Sequence, residues 1–501
     1  MVFGRKKAAE EQPQEIVDTK TDPETGVVPL DKQKKSFIEA AWPVFACGAG
    51  LFSDGYVNNV IGSVGTTLTY EYGDVYTGSQ AYSIVSAIAF AGTVVGQLVF
   101  GYTADRWSRT GSLITSTIIL VLFTALAAGS YYKGQAQGMF SILAAWRFFV
   151  GIGIGGEYPA GSVSAAESTG ELASGTRNRW FILFTNTMID WGFVFGAFVP
   201  YVVAAAAQNK YYGTIWRTSL GIGVVFPFIL FIMRLRLKEP EEFSRNSMKN
   251  ARTPYSLIFK FYGWRLLAVS IVWFIYDFST YAFGIYSSTI LSSIYGNGAP
   301  LTTVFGWNTV INLFYIPGTI IGAPVSDKLG ARNTLILGFS LQAVVGYIMA
   351  GVYGPLSQPH LVGAFAVVYG IFLSLGEFGP GNNIGLLAAK TCATGIRGQY
   401  YGVAAAIGKI GAFIGTYVFH YIELSGGTSS DVAYYQHPFW VSSSLCIFAA
   451  AVAFFFIPNI DQDTITFEDE RFREYLTSKG WDVRQLGLKK GESVESVQQT
   501  E

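Results

Sequence analysis

Charge is scarce in this chain of 501 residues, because only 14% of them are charged, whereas a soluble protein usually carries about 25%. So little charge cannot cover the surface of a water-exposed globule. The 34 basic and 34 acidic side chains cancel to a net charge of zero, which gives no basis for nucleic-acid binding. The three cysteines all lie inside apolar segments, which argues against a disulfide framework.

Motifs of enzymes and ATP-driven pumps are also missing from the sequence. There is no nucleotide-binding loop of the GxxxxGK[ST] kind, and neither a nucleophile–base pair nor a metal-ligand spacing is visible. We therefore expect no enzymatic activity, no cofactor and no metal site. Residues 1–36 are polar and lack the apolar core of a removable signal peptide, so the first spanning helix is expected to direct insertion.

Apolar sequence is what the chain has in abundance, with 50% hydrophobic residues, 57 glycines and a mean hydropathy of +0.35. Apolar stretches of about 20 residues are typical of membrane-spanning helices, and glycine lets such helices approach closely. We predict an all-α polytopic membrane protein with twelve transmembrane helices. The predicted spans are 37–64, 81–103, 111–132, 138–165, 179–206, 215–235, 263–292, 302–325, 332–353, 360–389, 398–421 and 436–457.

Polar segments divide the chain into a tail, two six-helix halves joined by a charged loop, and a second tail. The predicted regions are 1–36, 37–235, 236–262, 263–457 and 458–501. Lys and Arg are concentrated in the loops on one side, whereas the opposite loops 65–80, 293–301 and 422–435 contain none. Both termini are therefore predicted to face the cytoplasm. We expect the second tail to be a soluble appendage with a short helix in FEDERFREYL.

Two loop motifs indicate an internal repeat. GYTADRWSR after the second span is echoed by GAPVSDKLGAR after the eighth, each with a glycine before an aspartate and basic residues beyond it. Two related halves are what alternating access requires, since each can rock against the other; the alternative is two ordinary basic turns. The residues predicted to gate the halves are Asp105, Arg106, Arg109, Asp327 and Arg332.

Seven charged side chains lie in the interior of the predicted spans, away from their ends, and five of them are carboxylates. They are Asp54, Arg147, Glu157, Asp190, Asp277, Glu377 and Lys409. A charge in the bilayer costs several kcal/mol unless it is paired or lines a cavity, so it marks a transport pathway by default. Carboxyl groups removed from water can load and release protons near physiological pH, so the excess of acids indicates proton coupling. Asp54 is a candidate partner for Arg147.

The seventh span carries the clearest constellation, WFIYDFSTY. Trp273, Asp277 and Tyr281 recur at every fourth position and so lie on one helix stripe about 12 Å long. An aromatic wall, a protonatable acid and a phenol on one stripe predict a surface for a polar ligand. The alternative is a packing stripe whose acid pairs with Arg147 or Lys409.

The tenth span is interrupted by GEFGPGNNIG, whose glycines and proline free backbone groups. Such a break is tolerated only where the segment faces protein or a wet cavity. Glu377, Asn382 and Asn383 would then supply polar contacts to a ligand beside the break. The alternative is a simple kink needed for bending.

These motifs together resemble those of a known family. The two loop motifs resemble the paired loops of the major facilitator superfamily, and GIGIGGEYPAGSVSAAE is similar to the signature of its phosphate:proton symporter branch. Within that branch the chain resembles the fungal glycerophosphodiester permeases. The stretches that carry this resemblance are SDGYVN, GGEYPAGSVSAAES, WFIYDFSTYAFGIYSSTI, GPGNNIG and, in the tail, FREYLTSKGW.

The resemblance implies roles for individual residues. Tyr158, Trp273, Asp277 and Tyr281 would line the substrate site, while Asp54, Arg147 and Glu157 would form the proton path. Glu377 stands near the position where inorganic phosphate carriers have an asparagine, and FTNTMIDWGF offers no counterpart of their glutamine in the fifth span. The pocket is therefore expected to have diverged from one that fits bare phosphate.

The predicted function is proton-coupled import of glycerophosphocholine or glycerophosphoinositol at the plasma membrane, by a protein that works as a monomer. Asp190 and Glu377 beside aromatic rings could accommodate a quaternary ammonium, but carboxylates and asparagines could equally bind inositol hydroxyls. The alternatives are an inorganic phosphate:proton symporter and a transporter-like nutrient receptor that signals through its tail. The source of positive charge for the phosphate stays open, with Lys409 and Arg147 as distant candidates.

Overall fold

The structure is a computed structural model that describes residues 37–296, 299–460 and 464–488. The predicted tail 1–36 lies outside the described residues. Within these ranges we number fourteen principal helices in chain order. They are α1 (Phe37–Gly48), α2 (Leu51–Tyr72), α3 (Ala81–Arg106), α4 (Arg109–Ala128), α5 (Ala136–Ser168), α6 (Arg177–Ala206), α7 (Tyr212–Arg234), α8 (Tyr255–Tyr295), α9 (Leu301–Leu329), α10 (Ala331–Leu356), α11 (Pro359–Lys390), α12 (Thr394–Leu424), α13 (Val432–Phe456) and α14 (Thr464–Ser478).

Eleven helices in the described part of the chain, α3 to α13, are long and apolar enough to cross a membrane. Helices α1 and α2 take the place of the predicted first span. Helix α2 has 22 residues, which gives a length of about 33 Å, enough to cross a bilayer core of about 30 Å. It is more polar than the others because it carries Asp54, Asn58 and Asn59, all of them buried against neighbouring helices. The predicted all-α fold of two six-helix halves is confirmed.

The two halves meet along equivalent pairs of helices. Helix α3 of the first half packs on α12 of the second, and α9 of the second half packs in the same way on α6 of the first, while α2 contacts α8. Glycine permits these close approaches; a Cβ on Gly402, for example, would lie 2.5 Å from the carbonyl oxygen of Gln97. The second span (α3) packs on the eleventh (α12), and the eighth (α9) packs on the fifth (α6). These equivalent pairs support the internal repeat that the loop motifs predicted.

Helices α5 and α11, the fourth and tenth spans, widen into a π-helical turn at equivalent positions. The turn covers Glu157–Ser162 in α5 and Glu377–Gly381 in α11, and each contains a proline. Proline removes a backbone hydrogen bond, and single π turns are frequent at functional sites. The predicted interruption of the tenth span is therefore present, and a matching interruption in the fourth span accompanies it.

The described part of the second tail packs on the face that carries the basic loops, which we call the basic face. Helix α14 contains the FEDERFREYL stretch, as predicted, and buries Phe472 and Leu476 against Tyr262 of α8 and Tyr400 of α12. Helix α8 itself begins at Tyr255, inside the segment 236–262 that the sequence assigned to the central loop. This early start supplies the apolar surface on which the tail helix lies.

Candidate functional site

A cavity lies between the two halves and is lined mainly by α5, α6, α8 and α11. It brings together six of the seven residues that we predicted to bind substrate. Those six are Tyr158, Trp273, Asp277, Tyr281, Glu377 and Asn382. The seventh, Asn383, does not line the cavity, because its amide donates to the carbonyl oxygen of Gly379 within its own helix at 2.8 Å. The cavity is the candidate substrate site.

One group of polar residues around the cavity is centred on an ammonium group. We call it the lysine cluster: Lys409, Asp277, Tyr281, Tyr158 and Asp54, all buried. The Nζ of Lys409 lies 3.2 Å from Oδ2 of Asp277 and donates a hydrogen bond to the hydroxyl of Tyr281. The same ammonium lies 3.8 Å from the ring centroid of Tyr281 and 4.8 Å from that of Tyr158, within the range of cation–π attraction.

Asp54 joins this cluster through two phenols. Its carboxylate accepts hydrogen bonds from the hydroxyl of Tyr158 and, at 3.3 Å, from that of Tyr281. The Nδ2 of Asn58, one turn along α2, also donates to it. A continuous chain of hydrogen bonds and one ion pair therefore connects Asp277 on α8, through Lys409 on α12, to Asp54 on α2.

The suggested pairing of Asp54 with Arg147 is wrong. The guanidinium of Arg147 instead donates to the carbonyl oxygens of Val85, at 2.9 Å, and Val57, at 3.2 Å. These carbonyls lie on α3 and α2, so the arginine joins helices of the first half by binding their backbones. Tyr158 and Asn58 take the hydrogen-bonding positions on Asp54, which is why the arginine is not needed there.

Glu157 forms a separate, fully buried ion pair. Both of its oxygens accept hydrogen bonds from Arg234 at 2.6 Å, and the side-chain exposures of the two residues are 1% and 0%. Arg234 also donates to the hydroxyl of Thr117 at 2.8 Å. Gly50, between α1 and α2, leaves room for the pair, because a Cβ there would lie 1.9 Å from Oε2 of Glu157. The bidentate geometry indicates a structural lock between α5 and α7.

A second polar group, which we call the acid cluster, contains Asn186, Asp190, Tyr276, Glu377 and Asn382. Glu377 accepts hydrogen bonds from Tyr276 Oη at 2.6 Å and from Asn186 Nδ2 at 2.9 Å. Asn186 also donates to Oδ1 of Asn382 at 3.0 Å. Asp190 is completely buried, and neither of its oxygens has a hydrogen-bond donor among the described residues.

The predicted gating residues lie at the basic face, where two aspartates make equivalent contacts between the halves. Asp105, at the end of α3, accepts hydrogen bonds from the backbone N–H groups of Gly398 and Gln399 at the start of α12, at 2.9 and 2.7 Å. Asp327, near the end of α9, accepts one from the N–H of Arg179 at the start of α6, at 3.2 Å. Each carboxylate thus meets the positive end of a helix in the other half.

The basic residues of the loop motifs extend this contact. Arg109 pairs with Asp105 at 2.6 Å and with Glu167 at 3.0 Å, and Glu167 also pairs with Arg397 of the second half at 3.0 Å. The remaining two predicted gating residues bind backbone. Arg106 donates to Met248 and Ala251, and Arg332 donates to Ile457. At the basic face the halves are therefore joined by a buried network of alternating charges.

Sequence reasoning missed several residues of these sites. Asn186 lies in FTNTMIDWGF, the stretch in which no counterpart of the glutamine of phosphate carriers was identified. The only feature of the sequence that could have indicated its role is its position one helical turn before Asp190. Tyr276 lies one position before Asp277 and is not part of the predicted stripe of α8, so the helical periodicity did not identify it. Arg234 ends the sixth span, where a basic residue is ordinary, and its role follows only from its contact with Glu157.

Two six-helix halves around a polar cavity define the class of alternating-access membrane transporters. The sequence profile of the Major Facilitator Superfamily matches residues 47–416. The fold is similar to that of the proton:xylose symporter XylE from E. coli, with a TM-score of 0.69 at 15% sequence identity, over 87% of this chain and 99% of that one.

Three curated proteins of Candida albicans are similar to the chain over most of its length. The glycerophosphodiester transporter GIT2 is 49% identical over 95% of this chain and 88% of its own. The glycerophosphocholine permease GIT4 is 48% identical over 91% and 85%, and the major glycerophosphoinositol permease GIT3 is 47% identical over 96% and 89%. The chain belongs to the Major Facilitator Superfamily and, within it, to the family of these fungal permeases.

Proposed function

We propose that this protein is a proton-coupled symporter that imports glycerophosphodiesters by alternating access. The similarity to the three permeases supports the substrate class, because 47–49% identity extends over more than nine-tenths of the chain. The observation that carries the coupling mechanism is the contact of Lys409 with Asp277 and Tyr281 beside the cavity. This contact places a cation, a titratable acid and a phenol where the two halves meet.

Lys409 supplies the positive charge that the phosphodiester needs. While Asp277 is ionised, its carboxylate at 3.2 Å neutralises the ammonium. When Asp277 takes up a proton, the buried ammonium loses the only carboxylate in direct contact with it among the described residues, which is costly unless an anion replaces that carboxylate. The phosphodiester is such an anion. Proton binding and substrate binding therefore favour each other at this pair.

The charge balance around the cavity supports the same mechanism. The lysine and acid clusters together hold four carboxyl groups, Asp54, Asp190, Asp277 and Glu377, against the single ammonium of Lys409. An anionic substrate would be repelled if all four were ionised. Protonation of part of this set therefore precedes or accompanies substrate binding. Asp54, which shares Tyr281 with Lys409, is the natural route by which a proton reaches or leaves the pair.

Opening toward the basic face requires the network around Asp105 and Asp327 to separate, since these carboxylates bind helix ends of the opposite half. We place this face in the cytoplasm of a cell whose plasma membrane carries the protein, because basic loops are retained on the cytoplasmic side. Both termini then lie in the cytoplasm. Release of substrate inward follows when the two aspartate contacts break and the halves rock apart.

Uptake by an Asp277→Asn variant tests the mechanism. The protein is reconstituted in liposomes, and accumulation of labelled glycerophosphodiester is driven by an inward proton gradient. Asparagine cannot carry a proton, so we expect the variant to lose accumulation while it still exchanges substrate across the membrane. Asp277→Glu keeps an ionisable group and should retain part of the accumulation. Normal accumulation by the asparagine variant would remove Asp277 from the coupling mechanism.

Two further measurements separate the alternatives. An inorganic phosphate symporter would show strong inhibition of uptake by excess phosphate, whereas we expect little. A non-transporting nutrient receptor would lose its signalling when residues 458–501 are deleted, whereas a transporter would keep some flux. We expect flux to remain measurable after this deletion, because the cavity is built from α2 to α12.

A further inference from the structure

Neither of the two carboxyl groups of the acid cluster forms an ion pair among the described residues; Asp54 forms none there either, but it shares the hydroxyl of Tyr281 with Lys409. The paired acids are Asp277 with Lys409, Glu157 with Arg234, and Glu167 with Arg109 and Arg397. Glu377 accepts only neutral donors, and the oxygens of Asp190 accept none. A buried carboxylate without a counter-charge is costly, so this part of the cavity is complementary to a cation.

Asp190 lies on the same face of α6 as two residues that line the cavity, and is buried just behind that lining. It follows Asn186 by four positions and precedes Phe193 by three, so all three lie on one face of the helix. Asn186 and Phe193 line the cavity. Asp190 and Glu377 interact electrostatically across the gap between α6 and α11. Two carboxyl groups on facing helices therefore act on one region of the cavity, and a cation there would offset the repulsion between them.

The side chains of the acid cluster that line the cavity, which are all of its members except Asp190, already form hydrogen bonds within the protein. Both oxygens of Glu377 are occupied, and Asn186 donates to two acceptors. Asn382 accepts from the hydroxyl of Thr319 at 2.7 Å and donates to the carbonyl oxygen of the same residue at 3.0 Å. A polyol would have to compete with these internal bonds in order to form its own. A quaternary ammonium forms no hydrogen bonds and needs only negative charge and aromatic faces.

Aromatic rings complete this environment. Phe181 and Phe193 of α6 and Trp273 and Tyr276 of α8 line the same cavity as Glu377. Tyr276 brings its ring to the carboxylate directly, since its hydroxyl is hydrogen-bonded to Glu377. A cation that enters here would meet ring faces and carboxylates together.

We propose that the acid cluster is the subsite for a quaternary ammonium headgroup, so that the protein selects glycerophosphocholine over glycerophosphoinositol. The inference rests on the proposed function, because the phosphodiester is held at the lysine cluster. Tyr276 and Asp277 are consecutive residues of α8, so the two clusters adjoin along the cavity wall. A zwitterion with a phosphate near Lys409 and an ammonium near Glu377 is matched in charge at both of its ends.

The test compares two substrates in two variants. KM and Vmax for labelled glycerophosphocholine and glycerophosphoinositol are measured with wild type, Glu377→Gln and Asp190→Asn. We expect wild type to prefer glycerophosphocholine. Each variant should raise the KM for glycerophosphocholine about tenfold, the scale of a desolvated cation–π and charge contact, while the KM for glycerophosphoinositol changes about twofold or less. Glu423→Gln, a matched change outside the cavity, should leave the selectivity ratio unchanged.

The outcomes separate the headgroup subsite from the transport function. If both substrates lose accumulation equally in the variants, the acid cluster carries protons and the subsite is refuted. Preference of the wild type for glycerophosphoinositol also refutes it, and this measurement does not depend on the folding of any variant. Transport of neither substrate by wild type would instead refute the proposed function on which the subsite rests.

Discussion

The buried pair of Glu157 and Arg234 gives the sharpest prediction about stability. Glu157→Gln removes one charge and leaves the guanidinium of Arg234 buried at 0% exposure without a counter-ion. Breaking a buried pair from one side costs about 3–5 kcal/mol, because the desolvation of the remaining charge is no longer offset.

A double-mutant cycle measures the effect. Thermal unfolding of the purified protein in detergent is followed for wild type, Glu157→Gln, Arg234→Met and the double variant. Both single variants should unfold at clearly lower temperatures, and the double variant should be more stable than either, because it holds no uncompensated charge. The measured coupling isolates the pair from the separate bonds of Arg234 to Thr117 and to backbone.

The refuting result concerns the role predicted from the sequence, in which Glu157 belongs to the proton path. If Glu157→Gln melts like wild type but loses the pH dependence of uptake, the carboxylate is a proton carrier and not a structural lock. If the Glu157→Gln variant unfolds at a lower temperature and the folded fraction still shows proton-driven uptake, the role of Glu157 is structural, as its ion pair with Arg234 indicates.

Three further predictions concern the cavity and the basic face. Gly381→Ala should weaken glycerophosphocholine uptake, because a Cβ there would lie 1.9 Å from Oε2 of Glu377 and must displace that carboxyl group. Gly351→Ala is the matched control, since a Cβ on Gly351 would meet no heavy atom within 4 Å. Equal uptake kinetics in the two variants would contradict the prediction. Asp105→Asn should make the basic face open more readily, seen as faster labelling of cysteines introduced along the inner pathway, and unchanged labelling would argue against a gate. Asp469→Ala should weaken the attachment of α14, because Asp469 accepts two hydrogen bonds of 2.6 Å at the start of α12. Protease cleavage in the tail should therefore be faster than in wild type. Cleavage at the wild-type rate would show that apolar contacts alone hold the tail in place.

The helical architecture was predictable because its signal is local. Apolar runs identified α3 to α13, and the two loop motifs identified the repeat, which the equivalent contacts of Asp105 and Asp327 then explain physically. The start of α8 at Tyr255 was not predicted, because its first turns are amphipathic and are stabilised by the tail helix, which lies more than 200 residues away along the chain. Contacts between residues so far apart in the sequence cannot be predicted from a hydropathy pattern.

The sequence predicted which residues belong to the site, but it did not predict which of them form hydrogen bonds and ion pairs with one another. The stripe of Trp273, Asp277 and Tyr281 follows from helical periodicity, and the structure places all three at the cavity. The partners of Asp54 and Arg147 depend on which helices face one another, and chemistry alone allowed a direct pair that the structure does not contain. Arg234 was missed for the same reason. A basic residue at the end of a span is usual on the cytoplasmic side of a membrane, so nothing in the sequence indicated its pairing with Glu157.

The central claim is that protons drive glycerophosphodiester import through the pair of Asp277 and Lys409. The most direct measurement uses purified protein in liposomes that are alkaline inside, with labelled glycerophosphocholine outside and the membrane potential clamped. The mechanism predicts accumulation above the external concentration that collapses when a protonophore is added, and that is absent from the Asp277→Asn variant. Equal uptake with and without the proton gradient would contradict it.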